Sequence, residues 1–368
     1  MNRKYILHVE DDELNRDLFL DSINDWNAAN AEAGKEWVLV ATGSYDEAIQ
    51  ALDQHRFDCA IVDLRLPEKE DAQETPNVGN KLAKAILFGQ GLPLAILSGH
   101  PAEIDEGLRD AGLVSTFDKG DGDGYENALG WLSNKWGMMT TLRAAKASID
   151  GLSAEVFAKR LWPRWNAFSD LEPDNQANLI KIIARQYVSH IADIMGLDGQ
   201  GNAGWHPFEC YNVPSLFDDR AHTGDLFALD DSLWVVLSPQ CDMATKKIAN
   251  VLLAKCHREI ENWPQNVETL KTPANEKKRE KAESYFKRLV NQNIASSTHF
   301  LPPLPGEPSP ILVSFGEIRT LSLEVLTAHL NDRVASISYP FVSNLVQRFG
   351  SFISRTGQPN IEVTHFAS

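Results

Sequence analysis

Apolar and polar positions follow two different patterns along the chain. Over the first 137 residues, short apolar runs alternate with segments in which apolar positions recur at helical spacing. The runs predict strands at 4–9, 37–41, 58–62, 93–97 and 113–117, and the periodic segments predict helices near 13–26, 44–54, 78–88, 101–111 and 124–137. Cys59 to Val62 is apolar at every position and reads as a buried parallel strand. Regular alternation of strand and helix gives an α/β fold, a doubly wound five-stranded parallel sheet with right-handed crossovers. Ser44, followed three residues later by Glu47, has the form of a capping box for the second helix.

After residue 137 the pattern becomes helical, then mixed. Residues 138–151 read as a helical connector with Leu142, Ala145 and Ile149 on one side. A helix around 153–162 is disturbed by Pro163, and a longer one is expected around 174–195. In the longer helix Ile180, Ile183, Tyr187, Ile191 and Ile194 form an apolar stripe that must be buried, within the second half of the chain or, as the other option, in a homodimer. His190 on this helix reads as a packing histidine in preference to a phosphotransfer group.

From Gly199 short strands and turns dominate. Gly224 to Leu229, a turn at Asp230-Asp231-Ser232, and Leu233 to Pro239 predict a hairpin, and Ile248 to Lys255 a further strand. Such spacing suggests a small, strongly curved barrel or half-barrel. Pro302 to Pro310 is an extended connection to a strand at Ile311 to Phe315, a helix near 322–330 and a strand at Arg333 to Ser338. A terminal helix after Pro340 holds Phe341, Leu345 and Phe349. The expected organisation is therefore 1–137, a helical segment 138–198, and an α+β domain over 199–368, with no internal repeat.

Composition adds limits. The 368 residues are 43% hydrophobic and 23% charged, ordinary for globular proteins, and no apolar run approaches the ~18 residues that would span a bilayer. A cytoplasmic protein without membrane partners is expected. Cys59, Cys210, Cys241 and Cys256 are too few and too irregularly spaced for a disulfide framework. The net charge of −16 sits almost entirely in residues 1–137, which hold 12 Lys+Arg against 26 Asp+Glu. The second half is close to neutral, and its one basic run, Lys277-Lys278-Arg279 with Lys281, Lys287 and Arg288, is interleaved with Glu276, Glu280 and Glu283. It reads as a solvated, ion-paired helix, so nucleic acid is a disfavoured partner.

The chemistry gathers at predicted strand ends. Glu10-Asp11-Asp12 follows the first strand, Asp63 the third, Ser98 the fourth and Lys119 the fifth, all at the edge where open α/β sheets place their sites. Taken alone, Asp11 or Asp12 could equally cap the first helix. Together, the carboxylates, hydroxyl and amine could hold a hard divalent cation and a phosphoryl group.

The Glu10-Asp11 pair, Asp63-x-x-Leu66-Pro67, Ser98 and Lys119 resemble the receiver domain of two-component response regulators. The resemblance covers about the first 137 residues. It implies a flavodoxin-like fold and Asp63 as acceptor of a phosphoryl group from a sensor histidine kinase or phosphotransfer protein. It also implies Mg²⁺ held by Asp11, Asp63 and the main-chain carbonyl of Arg65, with Glu10 acting through water. Lys119 would pair with the phosphoryl oxygens and Ser98 would hydrogen-bond to one of them. Two features depart from the family. An acidic stretch, Glu68 to Pro76, lengthens the loop beside the site, and Thr116 stands where an aromatic often sits, the aromatic here being Phe117.

Gly224 to Pro239 is distantly similar to the first strands of MazF/PemK-type toxin ribonucleases, but Asp230-Asp231-Ser232 replaces their basic loop. His206, Cys210, His222, Cys241, Cys256 and His257 supply zinc-ligand types without a Cys-x-x-Cys pair, and Cys241 could act as a nucleophile only beside a base such as His222 or His257. The expected protein is a response regulator whose atypical output domain contacts an unknown downstream protein. The alternatives are a receiver-controlled enzyme acting on RNA or nucleotide, and a DNA-binding regulator, although no helix-turn-helix pattern ends the chain.

Overall fold

Strands that are apolar on consecutive positions must be covered on both faces, and the first unit of the chain does this. The computed structural model describes residues 2–69, 73, 75–109, 111–170, 175–196, 204–215, 217–357 and 362. It divides into two units, Met1–Asp193 and Ile194–Ser368. In the first, β1 (Asn2–Val9), β2 (Lys35–Thr42), β3 (Cys59–Val62), β4 (Leu94–Ser98) and β5 (Val114–Asp118) pair in parallel in the order β2-β1-β3-β4-β5. Helices α1 (Glu13–Ala29), α2 (Tyr45–Gln54), α3 (Pro76–Lys84, continuing through a π-helical turn Ala85–Gln90), α4 (Glu106–Arg109) and α5 (Gly124–Ser133) connect them.

Alternation along each strand builds two cores. Leu7, Val9, Ala60, Val62 and Ile96 meet Ala48 of α2 and Leu82 of α3 on one face. Ile6, Ile61, Ala95 and Leu97 meet Phe19 of α1 and Leu129 of α5 on the other. This is the expected doubly wound sheet. Asp12 caps α1 by accepting from the N–H groups of Leu14 (2.8 Å) and Asn15 (3.2 Å). At α2, Ser44 accepts from Glu47 N at 3.4 Å, and the Glu47 carboxylate reaches back to Gly43 N at 2.6 Å.

The helix expected over 101–111 is reduced to a 3-10 turn, Pro101–Glu103, and the single-turn α4. Ile104 between them is extended (φ −65°, ψ 137°). Asn80 of α3 explains the break. Its side chain donates to Glu103 O and accepts from Asp105 N, both at 2.9 Å, and so occupies backbone groups on either side of Ile104. Gly107 and Gly112 weaken any competing helix.

The connector is helical, as α6 (Trp136–Val156). Its first turn is fixed by Trp136, stacked on Trp26 at 5.5 Å and edge-on to Trp37 at 4.8 Å. Arg143, one face further on, reaches Asp58 at 2.8 Å, and Asp58 lies 3.6 Å from the Lys4 ammonium. Lys4 and Asp58 are buried at the amino edge of the sheet, where burial pushes the Lys4 amine below its usual range. A π-helical turn (Phe157–Leu161), a 3-10 turn (Trp162–Arg164) and the short α7 (Trp165–Ser169) replace the second expected helix, consistent with Pro163. The long helix forms as α8 (Gln176–Gly196), but its apolar stripe is not buried: Ile180 is 61% exposed and the other four positions are only half-buried. The helical spacing is present, and among the described residues the stripe is at most half-buried. His190 is half-buried on the same helix.

In the second unit, β6 (Tyr211–Asn212), β7 (Asp225–Leu229), β8 (Ser232–Val236), β9 (Asn250–His257), β10 (Thr298–Leu301), β11 (Ile311–Ser322) and β12 (Arg333–Ile337) form one antiparallel sheet, β10-β11-β9-β8-β7-β12-β6. This antiparallel sheet with its accompanying helices fits the expected α+β domain, and among the described residues β10 and β6 are its end strands. The β7–β8 hairpin turns on Asp230 and Asp231, both left-handed (φ 50° and 56°), the geometry that a two-residue hairpin turn requires and that Asp tolerates.

Four short or medium helices accompany the sheet: α9 (Gln240–Ala244), α10 (Trp263–Lys271), α11 (Glu276–Val290) and α12 (Leu323–Ala328). The terminal α13 (Phe341–Ile353) packs Leu345 against Val313, Phe315 and Ile337. Met243 of α9 and Leu326 of α12 cover the opposite face with Val236, Val251 and Leu253. The basic run lies on α11, where Arg279 pairs with Glu283 at 3.0 Å. No helix among the described residues is long and apolar enough to cross a membrane.

One buried ion pair ties this sheet together. Asp225 of β7, fully buried, meets Arg333 of β12 at 3.0 Å and accepts from Ser336 Oγ and from His222 N, the latter at 2.7 Å. Arg333 also donates to Arg220 O (2.9 Å) and to Phe217 O. Asp225→Ala leaves a buried guanidinium without its counter-charge and is expected to destabilise the unit by roughly 3–5 kcal/mol in urea denaturation. A loss under 1 kcal/mol would show that the pair does not hold the two strands.

Candidate functional site

The carboxyl ends of β1, β3, β4 and β5 bring together five side chains far apart in sequence. Asp63 follows β3, and its N–H donates to Val9 O at 3.0 Å. Glu10 and Asp11 follow β1 directly, Ser98 ends β4 and Lys119 follows β5. The Lys119 N–H donates to Ser98 O at 3.2 Å, so the last two are also joined by backbone.

Lys119 is the hub. Its ammonium lies 2.5 Å from Glu10 Oε2 and 2.5 Å from Asp63 Oδ2. Burial alone would lower its pKa, but Glu10 and Asp63 outweigh that, and the amine is held above its usual range. Glu10 is buried, and burial raises its pKa against the opposing pull of Lys119. Asp63, at the rim where β3 ends, is buried, 7% exposed. The chain folds over it: α3 begins beside the loop after β3 and approaches so closely that a Cβ on Gly79 would lie 2.1 Å from Leu64 O and 2.5 Å from Asp63 O.

Carboxylate oxygens of Glu10, Asp11 and Asp63 all lie within 4.8 Å of one another, a set of hard oxygen donors suited to a divalent cation. Arg65, whose carbonyl was expected to complete that set, directs its guanidinium to Glu103 at 2.6 Å and its N–H to Asp63 Oδ1 at 3.3 Å. Ser98 is buried, and its Oγ accepts from His100 N at 3.3 Å. Asp12 stays outside the cluster as the α1 cap, which assigns the two neighbouring carboxylates to separate tasks.

Several supporting residues have little sequence signal. Arg16, one turn into α1, donates to Glu10 O (2.7 Å) and Asp11 O (2.9 Å), and Asn15 donates to Glu10 Oε1 (3.2 Å). Their spacing from the Asp12 cap is the only hint of this. Tyr125 of α5 has a buried hydroxyl without a partner, and burial followed by the Glu10 charge pushes its pKa to about 12. His8 packs on Phe19 at 4.5 Å, and burial drives its pKa to about 3. Phe117 turns towards α5, 6.3 Å from Trp131, which leaves Thr116 on the other face of the strand. The displaced aromatic therefore does not take the vacated position. In the acidic loop, Glu68 pairs with Lys81 at 3.1 Å, while residues 70–72 and 74 lie outside the described residues.

Among the described residues, the cysteines and histidines of the second unit form no metal-ligating group. Cys210 and Cys256 are buried, and burial pushes the Cys210 thiol up to about 12. Cys241 is exposed on α9, 3.7 Å from Asp242. His222 Nδ1 lies 2.9 Å from Thr223 O, His257 pairs with Glu317 at 2.6 Å, and His206 accepts from Phe208 N. Among the described residues the one group of metal-ligating type is Glu10, Asp11 and Asp63.

No family model and no curated protein matches the chain. Several solved structures are similar to part of the chain. A two-component transcriptional regulator from Clostridium phytofermentans is 21% identical, covering 39% of this chain and 98% of that one, with a TM-score of 0.30. A chemotaxis response regulator of Vibrio cholerae is 21% identical over 36% of this chain and 98% of its own, with a TM-score of 0.27. The receiver domain of a sensor histidine kinase from Pseudomonas aeruginosa, solved with a magnesium ion coordinated in the active site cleft, is 17% identical over 36% and 98%, with a TM-score of 0.27. The strand order β2-β1-β3-β4-β5 with helices on both faces is the flavodoxin-like receiver fold.

Gly79→Ala forces α3 away from the carbonyls of Leu64 and Asp63 and is expected to cost about 1–3 kcal/mol of stability. Urea denaturation of both chains measures this, and equal midpoints would contradict the close approach.

Proposed function

We propose that the chain is a response regulator of a two-component phosphorelay, acting in the cytoplasm, with Asp63 as phosphoacceptor. The observation that carries this reading is the bridge from Lys119 to Glu10 and Asp63 beside a three-carboxylate cluster, all at the carboxyl edge of the sheet.

The oxygen donors fit Mg²⁺, which Asp11, Asp63 and the Arg65 main-chain carbonyl would hold, with Glu10 acting through water. When bound, the ion supplies the positive charge that draws in a phosphoryl dianion and offsets the clustered carboxylates. Asp63 then attacks phosphorus in line. The P–N bond of the donor phosphohistidine breaks, the imidazole leaves with its electron pair and takes up a proton, and an acyl phosphate forms on Asp63. Lys119, released from Asp63, follows the charge to the phosphoryl oxygens, and the Ser98 hydroxyl donates to one of them. That inward pull on Ser98 biases the surface around β4 and β5.

The donor is a sensor histidine kinase or phosphotransfer protein. Residues 1–137 serve as receiver, 138–198 as connector and 199–368 as an output domain that works through a downstream protein. The near-neutral charge of the second half supports a protein partner over nucleic acid.

Radiolabelled acetyl phosphate tests the chemistry. The full chain should incorporate label in the presence of Mg²⁺ and lose it with EDTA, Asp63→Asn should fall to background, and Lys119→Met should label about 100-fold more slowly. Undiminished labelling of Asp63→Asn would falsify the assignment.

A further inference from the structure

The second unit contains a cavity that the phosphoacceptor chemistry does not use. It has a volume of about 570 Å³ and lies between the segment before β6, the end of α11, β10 and one side of α13. That volume is within the range of small-molecule sites, about 300–1,000 Å³.

Its lining has a particular chemistry. Trp205, Phe300 and Phe341 give it aromatic walls, with Trp205 edge-on to Phe341 at 5.5 Å. His299, 2% exposed, contributes a ring whose Nδ1 has no hydrogen-bond partner. Burial, and then the nearby Arg348 charge, push its pKa down to about 3, so it remains neutral and can exchange one hydrogen bond with a guest. Arg348 donates to Ala295 O (3.3 Å) and Thr298 O (2.9 Å), while its buried Nε has no partner. Both acceptors are neutral carbonyls, and among the described residues Arg348 forms no ion pair. Among the described residues no acidic side chain lines the cavity. Arg348 is half-buried beside an aromatic cleft, held by carbonyls, with no counter-charge among the described residues, which leaves a planar donor fork available to an anionic guest.

We propose that this cavity binds a small planar aromatic carboxylate, its ring against Trp205 and Phe341 and its carboxylate drawn to Arg348. The output unit would then read a metabolite in addition to the state of Asp63.

Isothermal titration of the full chain with 2-naphthoate, using 2-naphthamide as the uncharged analogue, tests this. Naphthoate should bind at least ~10-fold more tightly than the amide, a difference of one charge-assisted contact. Arg348→Met should remove that preference and leave amide binding unchanged, whereas Trp205→Ala, at a half-exposed wall position, should weaken both. Asp63→Asn should bind as wild type does, which separates this site from the phosphoacceptor. Because Arg348 also holds two carbonyls, Arg348→Lys provides a variant that keeps the charge and should retain the preference for naphthoate. Absence of naphthoate binding, equal affinity for acid and amide, or a preference that survives Arg348→Met in a folded chain each overturns the proposal.

Discussion

Two ionised carboxylates buried side by side in a parallel sheet repel each other unless one takes up a proton or a cation lies between them, and here Lys119 supplies the cation. Glu10 and Asp63 leave adjacent strands at the same height, and each is within 2.5 Å of the same ammonium. Burial raises the Glu10 pKa, and the lysine counters it. The rest of the first unit serves this arrangement. Arg16 holds the main chain of Glu10 and Asp11, Gly79 lets α3 close over the loop after Asp63, and Asp12 is diverted to cap α1. A cation that is mobile on a flexible stem can follow a change of charge at Asp63, which a guanidinium locked in a planar fork would do less readily.

The parts of this fold legible in the sequence are those where one physical signal dominates. Short apolar runs marked all five parallel strands, most plainly β3 and β4, which are buried at every position. The site followed, since each functional residue sits one or two positions beyond such a run. The helix at 101–111 was misjudged because Asn80, more than twenty residues away in sequence, takes the backbone groups around Ile104. Tyr125 and His8 were not identified at all, as their proximity to the site depends on how α5 and α1 pack. In α8 the helical period was read correctly, yet a stripe of isoleucines predicts a need for cover and not where the cover is.

The second unit was harder to read because antiparallel sheets depend on long-range pairing. The β7–β8 hairpin was visible, since two aspartates between apolar runs carry their turn geometry locally. β6 and β10 were not, as segments of two and four residues acquire strand character only from the neighbour they join. The Asp225–Arg333 pair, 108 residues apart, could not be inferred from spacing at all. Its burial means the two groups must be placed together during folding, which ties correct pairing of β7 and β12 to a single electrostatic match.

The brevity of those edge strands bears on how the protein behaves at high concentration. An exposed sheet edge is a template for strand addition, and long regular edges invite aggregation. Here the end strands are the two residues of β6 and the four of β10, and the edge on the β10 side passes to β11 beyond Ser314. The long strand β11 pairs with β9 along most of its length, with an irregular register between Ser314 and Ile318, and with β10 only over Ile311–Ser314. The order in which the strands pair thus sets where unpaired backbone remains among the described residues: at β6, at β10 and along the part of β11 that β10 does not reach.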